Sequence, residues 1–133
     1  MAKEVVRTEA APAPFQGAPY SQAIKANGFV FVSGQLALKP GSKELEGGDA
    51  TAQTEQVFAN LRAILEAAGS SLDRLVKTTV FLQDLGDFAG MNEVYKEFFA
   101  PPYPSRATVV VKELMGPTMR VEIVAHANLA RVE

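Results

Sequence analysis

The sequence contains no cysteine and a single histidine, His126. The absence of cysteine excludes disulfides, thiolate nucleophiles and cysteine-ligated metal sites. A chain that does without disulfides suits a reducing compartment, so we expect a cytoplasmic protein. A catalytic serine triad would have to use His126, and no G-x-S-x-G turn accompanies it. Any catalysis must therefore rely on arginine, carboxylate, hydroxyl, amide or backbone groups.

Phosphate-binding and metal-binding motifs are missing as well. The sequence has no P-loop and no G-x-G-x-x-G segment, and its carboxylates do not cluster at ligand spacing. The sequence therefore offers no motif that would bind a nucleotide phosphate or a metal ion. A formal net charge of -2 provides no basic field for a nucleic acid. No run approaches the roughly 20 apolar residues of a membrane span, so neither a nucleic acid nor a membrane is an expected partner.

The 133 residues, 47% of them apolar, suit one globular domain with a single core. Residues 1–14 end in alternating alanine and proline, which predicts an extended arm leading into that domain. The sequence contains no segment with the composition of a linker. We therefore predict one domain over residues 1–133.

Local signals predict five strands and two helices. Asn27-Gly28 lies between apolar runs and predicts a hairpin turn, because both residues tolerate positive φ. Asp49 is placed to cap the first helix, and Gly69 is placed to end it. The predicted strands cover 20–26, 29–38, 75–82, 106–112 and 119–129, and the predicted helices cover 50–68 and 87–99. The second helix has an apolar stripe formed by Phe88, Met91, Val94, Tyr95 and Phe98.

The order strand-strand-helix-strand-helix-strand-strand predicts an α+β domain in which two helices cover one face of a mixed sheet. The strands are apolar at both alternating positions: Val109 and Val111 alternate with Val110, and Val121 and Ile123 with Val124. A sheet face left bare would expose a large apolar patch, which soluble monomers avoid. We therefore expect the second face to be buried against copies of the chain in a closed homo-oligomer.

Two charged residues interrupt these apolar strands. Arg106 begins one strand, and Glu122 lies within the next. If the two strands form a hairpin around residues 114–118 with an even register, both side chains project from the same face. Arginine suits a bidentate carboxylate contact, and a glutamate in apolar surroundings suits general acid–base chemistry. A structural ion pair or two solvated strand positions remain equally open alternatives.

Four blocks of the sequence, in the same order, resemble the RidA (YjgF/YER057c/UK114) family. They span nearly the whole chain. The blocks are Ala18-Pro19-Tyr20-Ser21-Gln22-Ala23, Phe31-Val32-Ser33-Gly34-Gln35, Met91-Asn92-Glu93-Val94-Tyr95-Lys96-Glu97-Phe98-Phe99, and Pro104-Ser105-Arg106-Ala107-Thr108-Val109-Val110-Val111-Lys112-Glu113-Leu114 followed by Val121-Glu122-Ile123.

This resemblance implies a chorismate-mutase-like fold, assembled as a homotrimer with three clefts between subunits. It implies hydrolytic deamination of 2-aminoacrylate and related enamines or imines to 2-keto acids and ammonia, without cofactor or metal. Arg106 matches the arginine that binds the substrate carboxylate, and Glu122 matches the glutamate that orients or activates water. Both are therefore the expected catalytic residues.

The resemblance also implies a set of substrate-binding positions. Tyr20 and Asn92 match cleft-lining residues that we expect to come from the neighbouring subunit. Ser33 and Gly34 match the small residues that leave room for a ligand. Thr108 stands where many family members carry cysteine, so no thiol is available at that position.

Three other functions stay open from the sequence, one of which is a chaperone-like role through exposed apolar surface. The cleft could bind a small 2-keto acid without turnover, although binding alone would need only Arg106. Some family members are described as endoribonucleases or translation inhibitors, which the near-neutral charge of this chain disfavours.

Overall fold

Six strands form one mixed sheet with the order β1-β2-β3-β6-β4-β5. The computed structural model describes residues 2–15, 17–42 and 44–130. The strands are β1 (Glu4–Val6), β2 (Ala23–Ala26), β3 (Phe29–Gln35), β4 (Leu75–Leu82), β5 (Ser105–Val110) and β6 (Val121–Asn128), and the α-helices are α1 (Ala50–Ala67) and α2 (Phe88–Phe98). This arrangement confirms the predicted α+β class.

Local signals in the sequence correctly located the turns and helix ends. Asn27 and Gly28 adopt φ values of 53° and 80° and join β2 to β3 as an antiparallel hairpin. The Asp49 side chain accepts a hydrogen bond from the Ala52 amide and caps α1, as predicted. Gly69, just past α1, has a φ of +85°, which a residue with a side chain rarely adopts.

Both edges of the sheet hold a pairing that the sequence did not reveal. The N-terminal arm contains β1, which pairs with β2 at one edge of the sheet. The last two strands do not form a hairpin around residues 114–118, the alternative that would place Arg106 and Glu122 on one face, because β5 runs parallel to β4 at the other edge. The last strand, β6, lies between β3 and β4 and is antiparallel to both. A β4-α2-β5 crossover explains the parallel pairing, since a helix connection returns the chain in the same direction.

Both helices cover the same face of the sheet. This helix-side face carries the fully buried side chains of Val30, Val80 and Ile123, which pack against Leu61 and Leu65 of α1 within the core. Alternation along each strand sends the intervening side chains to the opposite face. No helix among the described ranges is both long enough and apolar enough to cross a membrane.

The opposite face is open in the single chain and largely apolar. Phe29, Phe31 and Val109 are 38%, 41% and 42% exposed on it. His126 lies on the same face, with its ring 5.3 Å from that of Phe31 in an edge-on contact. We call this surface the open face. It has the character predicted for a face that copies of the chain would cover, and its burial in an oligomer stays a prediction.

Candidate functional site

Arg106 lies on the edge strand β5 and reaches over α2. Its Nη1 donates a hydrogen bond of 2.8 Å to Asn92 Oδ1. Its Cζ lies 4.8 Å from the ring centroid of Tyr95 and 5.8 Å from that of Phe88. Such distances are typical of cation–π contacts. These contacts occupy Nη1 and place two aromatic rings beside the guanidinium group.

The rest of the guanidinium group is open. Within the described part of the chain, Nε and Nη2 of Arg106 have no hydrogen-bond acceptor, and no carboxylate pairs with the side chain. These two nitrogens form the edge that binds a carboxylate in a bidentate manner. A cavity of about 290 Å³ adjoins this side chain, and its lining consists of Asn92, Tyr95, Lys96, Tyr103, Pro104 and Arg106. The cavity is large enough for a small carboxylic acid.

Glu122 lies on β6, on the open face of the sheet. Its side chain is half-buried, and this burial raises the pKa of its carboxyl group. Within the described ranges, no cation pairs with it. Its carboxyl group packs directly on Gly34, so that a methyl group at position 34 would overlap Oε2 and lie 3.0 Å from Cδ. Gly34 is therefore the residue that makes room for Glu122.

A bulge in β3 creates this room. The register between β3 and β6 shifts between Val32 and Gln35, so Ser33 and Gly34 leave the regular ladder. The Ser33 amide donates to the Gln22 carbonyl at 3.0 Å, and its hydroxyl donates to the Ser21 carbonyl at 2.6 Å. These bonds fix the bulge against the segment that carries Tyr20.

Tyr20 lies beside this bulge. It shares with Gly34 the lining of a small cavity of about 40 Å³. The Tyr20 hydroxyl accepts a hydrogen bond of 3.1 Å from the Phe15 amide, which attaches the N-terminal arm to the same region. Tyr20, Ser33, Gly34 and Glu122 therefore come together in one chain, and we call them the glutamate group.

Arg106, Asn92 and Thr108 form a second group, which we call the arginine group. Thr108 follows Arg106 by two residues on β5 and is half-buried on the same face. The contact between Asn92 and Arg106 lies within one chain. This corrects the expectation that a neighbouring subunit supplies Asn92 to the cleft of Arg106.

The two groups lie on opposite faces of the sheet. Arg106 pairs with Thr78 of β4, whose side chain is fully buried on the helix side. Glu122 pairs with Phe81, three positions further along β4 and therefore on the other face. A shared face for the two charges required an even-register hairpin between β5 and β6, and this hairpin is absent because both strands pair with β4 instead. One chain does not bring Arg106 and Glu122 to one small substrate.

An ion pair ties together the elements that carry the two groups. Arg120, just before β6, forms bidentate hydrogen bonds of 2.9 and 3.0 Å with Asp87, just before α2. These bonds raise the pKa of Arg120 further, and Asp87 is the main cause. The side chain of Gln53 accepts from the Arg120 amide and donates to the Thr118 carbonyl. The loop between β5 and β6 is thereby fixed at its C-terminal end.

Sequence reasoning missed the role of Tyr95 beside Arg106. It assigned Tyr95 only to the apolar stripe of α2, where the structure does bury it to 5% exposure. The sequence did offer one signal for this role. Tyr95 places a hydroxyl group on the buried, apolar stripe of α2, and a buried polar atom needs a hydrogen-bond partner. No group of three or more histidine, aspartate or glutamate side chains in the described ranges is arranged to hold a metal ion.

The raised pKa of Glu122 leads to a pH-dependent stability. Because the folded state binds this proton more tightly than the unfolded state, the stabilisation from protonated Glu122 is present at low pH. It is lost as the pH rises from the unfolded glutamate value of about 4.3 through the raised pKa of Glu122. We therefore expect the free energy of unfolding of Glu122→Gln, relative to wild type, to increase across this window and to level off above it.

Urea unfolding of both proteins at a series of pH values measures this difference. Glu55→Gln, on the exposed side of α1, serves as the control for removing a negative charge. The prediction fails if the difference in free energy of unfolding between Glu122→Gln and wild type changes with pH in the same way as the difference between Glu55→Gln and wild type.

Comparisons with known proteins agree with the geometry. Residues 8–129 match the protein family described as Endoribonuclease L-PSP. The chain is 53% identical to a RutC family protein of Pyrococcus abyssi, over 86% of this chain and 88% of that protein. It is 45% identical to Reactive Intermediate Deaminase A, chloroplastic, of Arabidopsis thaliana, over 92% of this chain and 65% of that protein.

Two further similarities concern a named enzyme and a solved structure. The chain is 38% identical to a 2-iminobutanoate/2-iminopropanoate deaminase of Dermatophagoides farinae, over 91% of this chain and 92% of that protein. It superimposes on the crystal structure of RidA from the Antarctic bacterium Psychrobacter sp. with a TM-score of 0.88 and 45% identity, covering 94% and 98% of the two chains. A family match over most of the chain, together with these identities, shows that the chain belongs to the RidA (YjgF/YER057c/UK114) family.

Proposed function

We propose that this protein hydrolyses 2-aminoacrylate and related 2-imino acids to 2-keto acids and ammonia, at clefts between the subunits of a homotrimer. The observation that carries the proposal is the open edge of the Arg106 guanidinium group beside a cavity of suitable size. Relatives at 38% and 45% identity that are named as deaminases support the same chemistry.

The proposed reaction follows from the chemistry of the substrate. The enamine tautomerises to an imine, whose C2 is electrophilic. Arg106 binds the carboxylate and fixes the orientation of C2, which is catalysis by positioning. Glu122 accepts a proton from a water molecule as the water oxygen bonds to C2, and the C=N π electrons move to the nitrogen, which takes up a proton from solvent. In the resulting carbinolamine, the protonated Glu122 gives its proton to the amino group. The C2–N bond then breaks, ammonia leaves, and the C2–O bond becomes a carbonyl as the hydroxyl proton is released to solvent.

A second copy of the chain completes the proposed site. Since the arginine group and the glutamate group lie on opposite faces, a substrate can contact both only where two copies meet. The open face supplies an apolar surface for such an assembly, including Phe29, Phe31 and Val109. A closed trimer is the smallest ring in which each chain gives its arginine group to one neighbour and its glutamate group to the other.

We favour imine hydrolysis over RNA cleavage, the activity named in the family's description. A formal net charge of -2 offers no basic field for a phosphate backbone. The open carboxylate-binding edge of Arg106 instead suits a small anionic substrate.

A coupled assay tests the proposed activity. A serine or threonine dehydratase generates the enamine, and release of the 2-keto acid is followed with and without this protein. We expect wild type to accelerate the release, and Arg106→Ala to lower kcat/KM about 100-fold, because a bidentate charged contact contributes about 3 kcal/mol. The control is Arg62→Ala, since Arg62 also lies over an aromatic ring, that of Phe98 at 5.1 Å.

Absence of acceleration by a folded, oligomeric wild-type protein would overturn the proposed activity for these substrates. Binding of 2-oxobutanoate in that case, measured by calorimetry, would point to a ligand-binding protein without turnover. Equal losses in Arg106→Ala and Arg62→Ala would show that the effect comes from structure rather than from carboxylate binding.

A further inference from the structure

Tyr95 contacts both Arg106 and Thr78, the residue that pairs with Arg106 on the neighbouring strand. Its hydroxyl lies 2.8 Å from the Thr78 hydroxyl, and both groups are buried. Thr78 is the cross-strand partner of Arg106 in the register between β4 and β5. The ring of Tyr95 lies under the guanidinium group of Arg106, 4.8 Å from Cζ. The tyrosine is thus anchored beside the backbone of the residue whose side chain it supports.

Core packing alone explains part of this arrangement. The Tyr95 ring packs on Phe58 and Phe99, with centroids 5.6 and 4.7 Å away. A phenylalanine could fill the same space, however, and valine could replace Thr78. Replacing both partners of a buried hydrogen bond by apolar groups of similar shape is often nearly neutral for stability. The hydroxyl pair therefore does something that packing does not require, which is to fix the position of the ring.

The charge state of Tyr95 is compatible with a fixed platform. Burial raises the pKa of its hydroxyl, and this effect outweighs the lowering by Thr78 and by the charge of Arg106. The side chain therefore stays neutral at physiological pH. A neutral ring offers a cation its electron-rich face, and the planar guanidinium group of arginine stacks well on such a face.

We propose that Tyr95 is a positioning residue that acts through Arg106, an inference that rests on the proposed function. Tyr95 holds the plane of the guanidinium group, and Asn92 occupies its Nη1. The Nε and Nη2 edge is thereby oriented before a substrate arrives. An unsupported arginine side chain would have to be immobilised when the carboxylate binds, and this immobilisation lowers affinity.

Three variants separate this role from core packing. Tyr95→Leu removes the platform, whereas Tyr95→Phe keeps the ring and loses only the hydroxyl. Phe99→Leu is the matched control, because Phe99 belongs to the same buried aromatic cluster and its ring contacts in the described structure are to Phe58 and Tyr95. Unfolding by urea gives the stability loss of each variant, so that binding is compared between proteins of known stability.

The first readout is the NMR signal of the Arg106 Nε–Hε group, assigned by its disappearance in Arg106→Lys. Protons over an aromatic ring resonate upfield. We expect the signal to move downfield in Tyr95→Leu and to stay near the wild-type position in Phe99→Leu. The Arg62 signal provides an internal reference, because Arg62 lies over Phe98 rather than Tyr95.

The second readout is the dissociation constant for 2-oxobutanoate, together with KM in the coupled assay. We expect Tyr95→Leu to raise both about five-fold, as the loss of a cation–π contact predicts. Tyr95→Phe should lie between Tyr95→Leu and wild type, and Phe99→Leu should bind within about two-fold of wild type.

Two outcomes would overturn the proposal. One is an Arg106 signal that does not move in Tyr95→Leu. The other is a dissociation constant that rises as much in Phe99→Leu as in Tyr95→Leu. Failure of the proposed function is a separate result, seen as no acceleration of keto-acid release by the folded, oligomeric wild-type protein. In that case the Arg106 signal alone still decides whether Tyr95 positions the arginine.

Discussion

Two inactive variants, Arg106→Ala and Glu122→Gln, should recover about a quarter of the wild-type activity when they are assembled together in equal amounts. Each cleft of the proposed trimer takes its arginine group from one chain and its glutamate group from the next. In a random mixture, half of the chains offer an intact Arg106 and the other half an intact Glu122. The fraction of clefts that combine an intact arginine group with an intact glutamate group is therefore about one quarter.

The experiment uses co-refolding of the two variants, with distinct tags so that mixed oligomers can be isolated and counted by native mass spectrometry. Each variant refolded alone gives the baseline, which should be at least about 100-fold below wild type. The matched control mixes Arg106→Ala with Asn92→Ala, both in the arginine group. No cleft in that mixture has an intact arginine group, so its activity should equal the average of the two variants.

The outcome discriminates between the two possible architectures of the site. If both residues acted within one chain, every chain in the first mixture would carry one defect, and no activity would return. Mixed oligomers that stay inactive would therefore contradict the shared cleft. The same result would leave the fold and the family membership unchanged, since neither depends on the assembly.

Sequence reasoning succeeded for features that neighbouring residues determine. The Asn27-Gly28 turn and the Asp49 cap depend on the conformations and hydrogen bonds of a few consecutive residues. Arg106 and Glu122 could be singled out because charges are rare within apolar strands. These signals are present in the chain before any tertiary contact forms.

Strand pairing could not be predicted in the same way. A loop of ten residues, 111–120, connects β5 to β6. A loop of this length can join two neighbouring strands as a hairpin, or it can lead to a strand elsewhere in the sheet. The actual partner of β5 is β4, reached through α2, and β6 inserts between β3 and β4. Because each shift of one residue changes the face of a side chain, the face of Glu122 could be assigned only once its partner on β4 was known.

Substitution of Gly34 by alanine should reduce kcat about 100-fold while leaving the fold intact. The added methyl group would overlap Oε2 of Glu122, so the carboxyl group has to move. A displacement of about 1 Å from the productive position can cost roughly 100-fold in rate. Gly34 does not have a positive φ, so the backbone accommodates alanine without strain. The loss should therefore appear in the rate of the coupled assay rather than in the melting temperature.

Gly47→Ala is the matched control, because Gly47 also lacks a positive φ and a methyl group there would meet no atom within 4 Å. It should retain wild-type activity.

A double-mutant cycle then connects the effect of Gly34→Ala to Glu122. In the Glu122→Gln background, Gly34→Ala should cost little further activity, since the substitution acts through a carboxylate that is already absent. A full additional loss in that background would show that Gly34 contributes by contacting the substrate itself, and a fully active Gly34→Ala would show that the position of Glu122 does not limit the reaction.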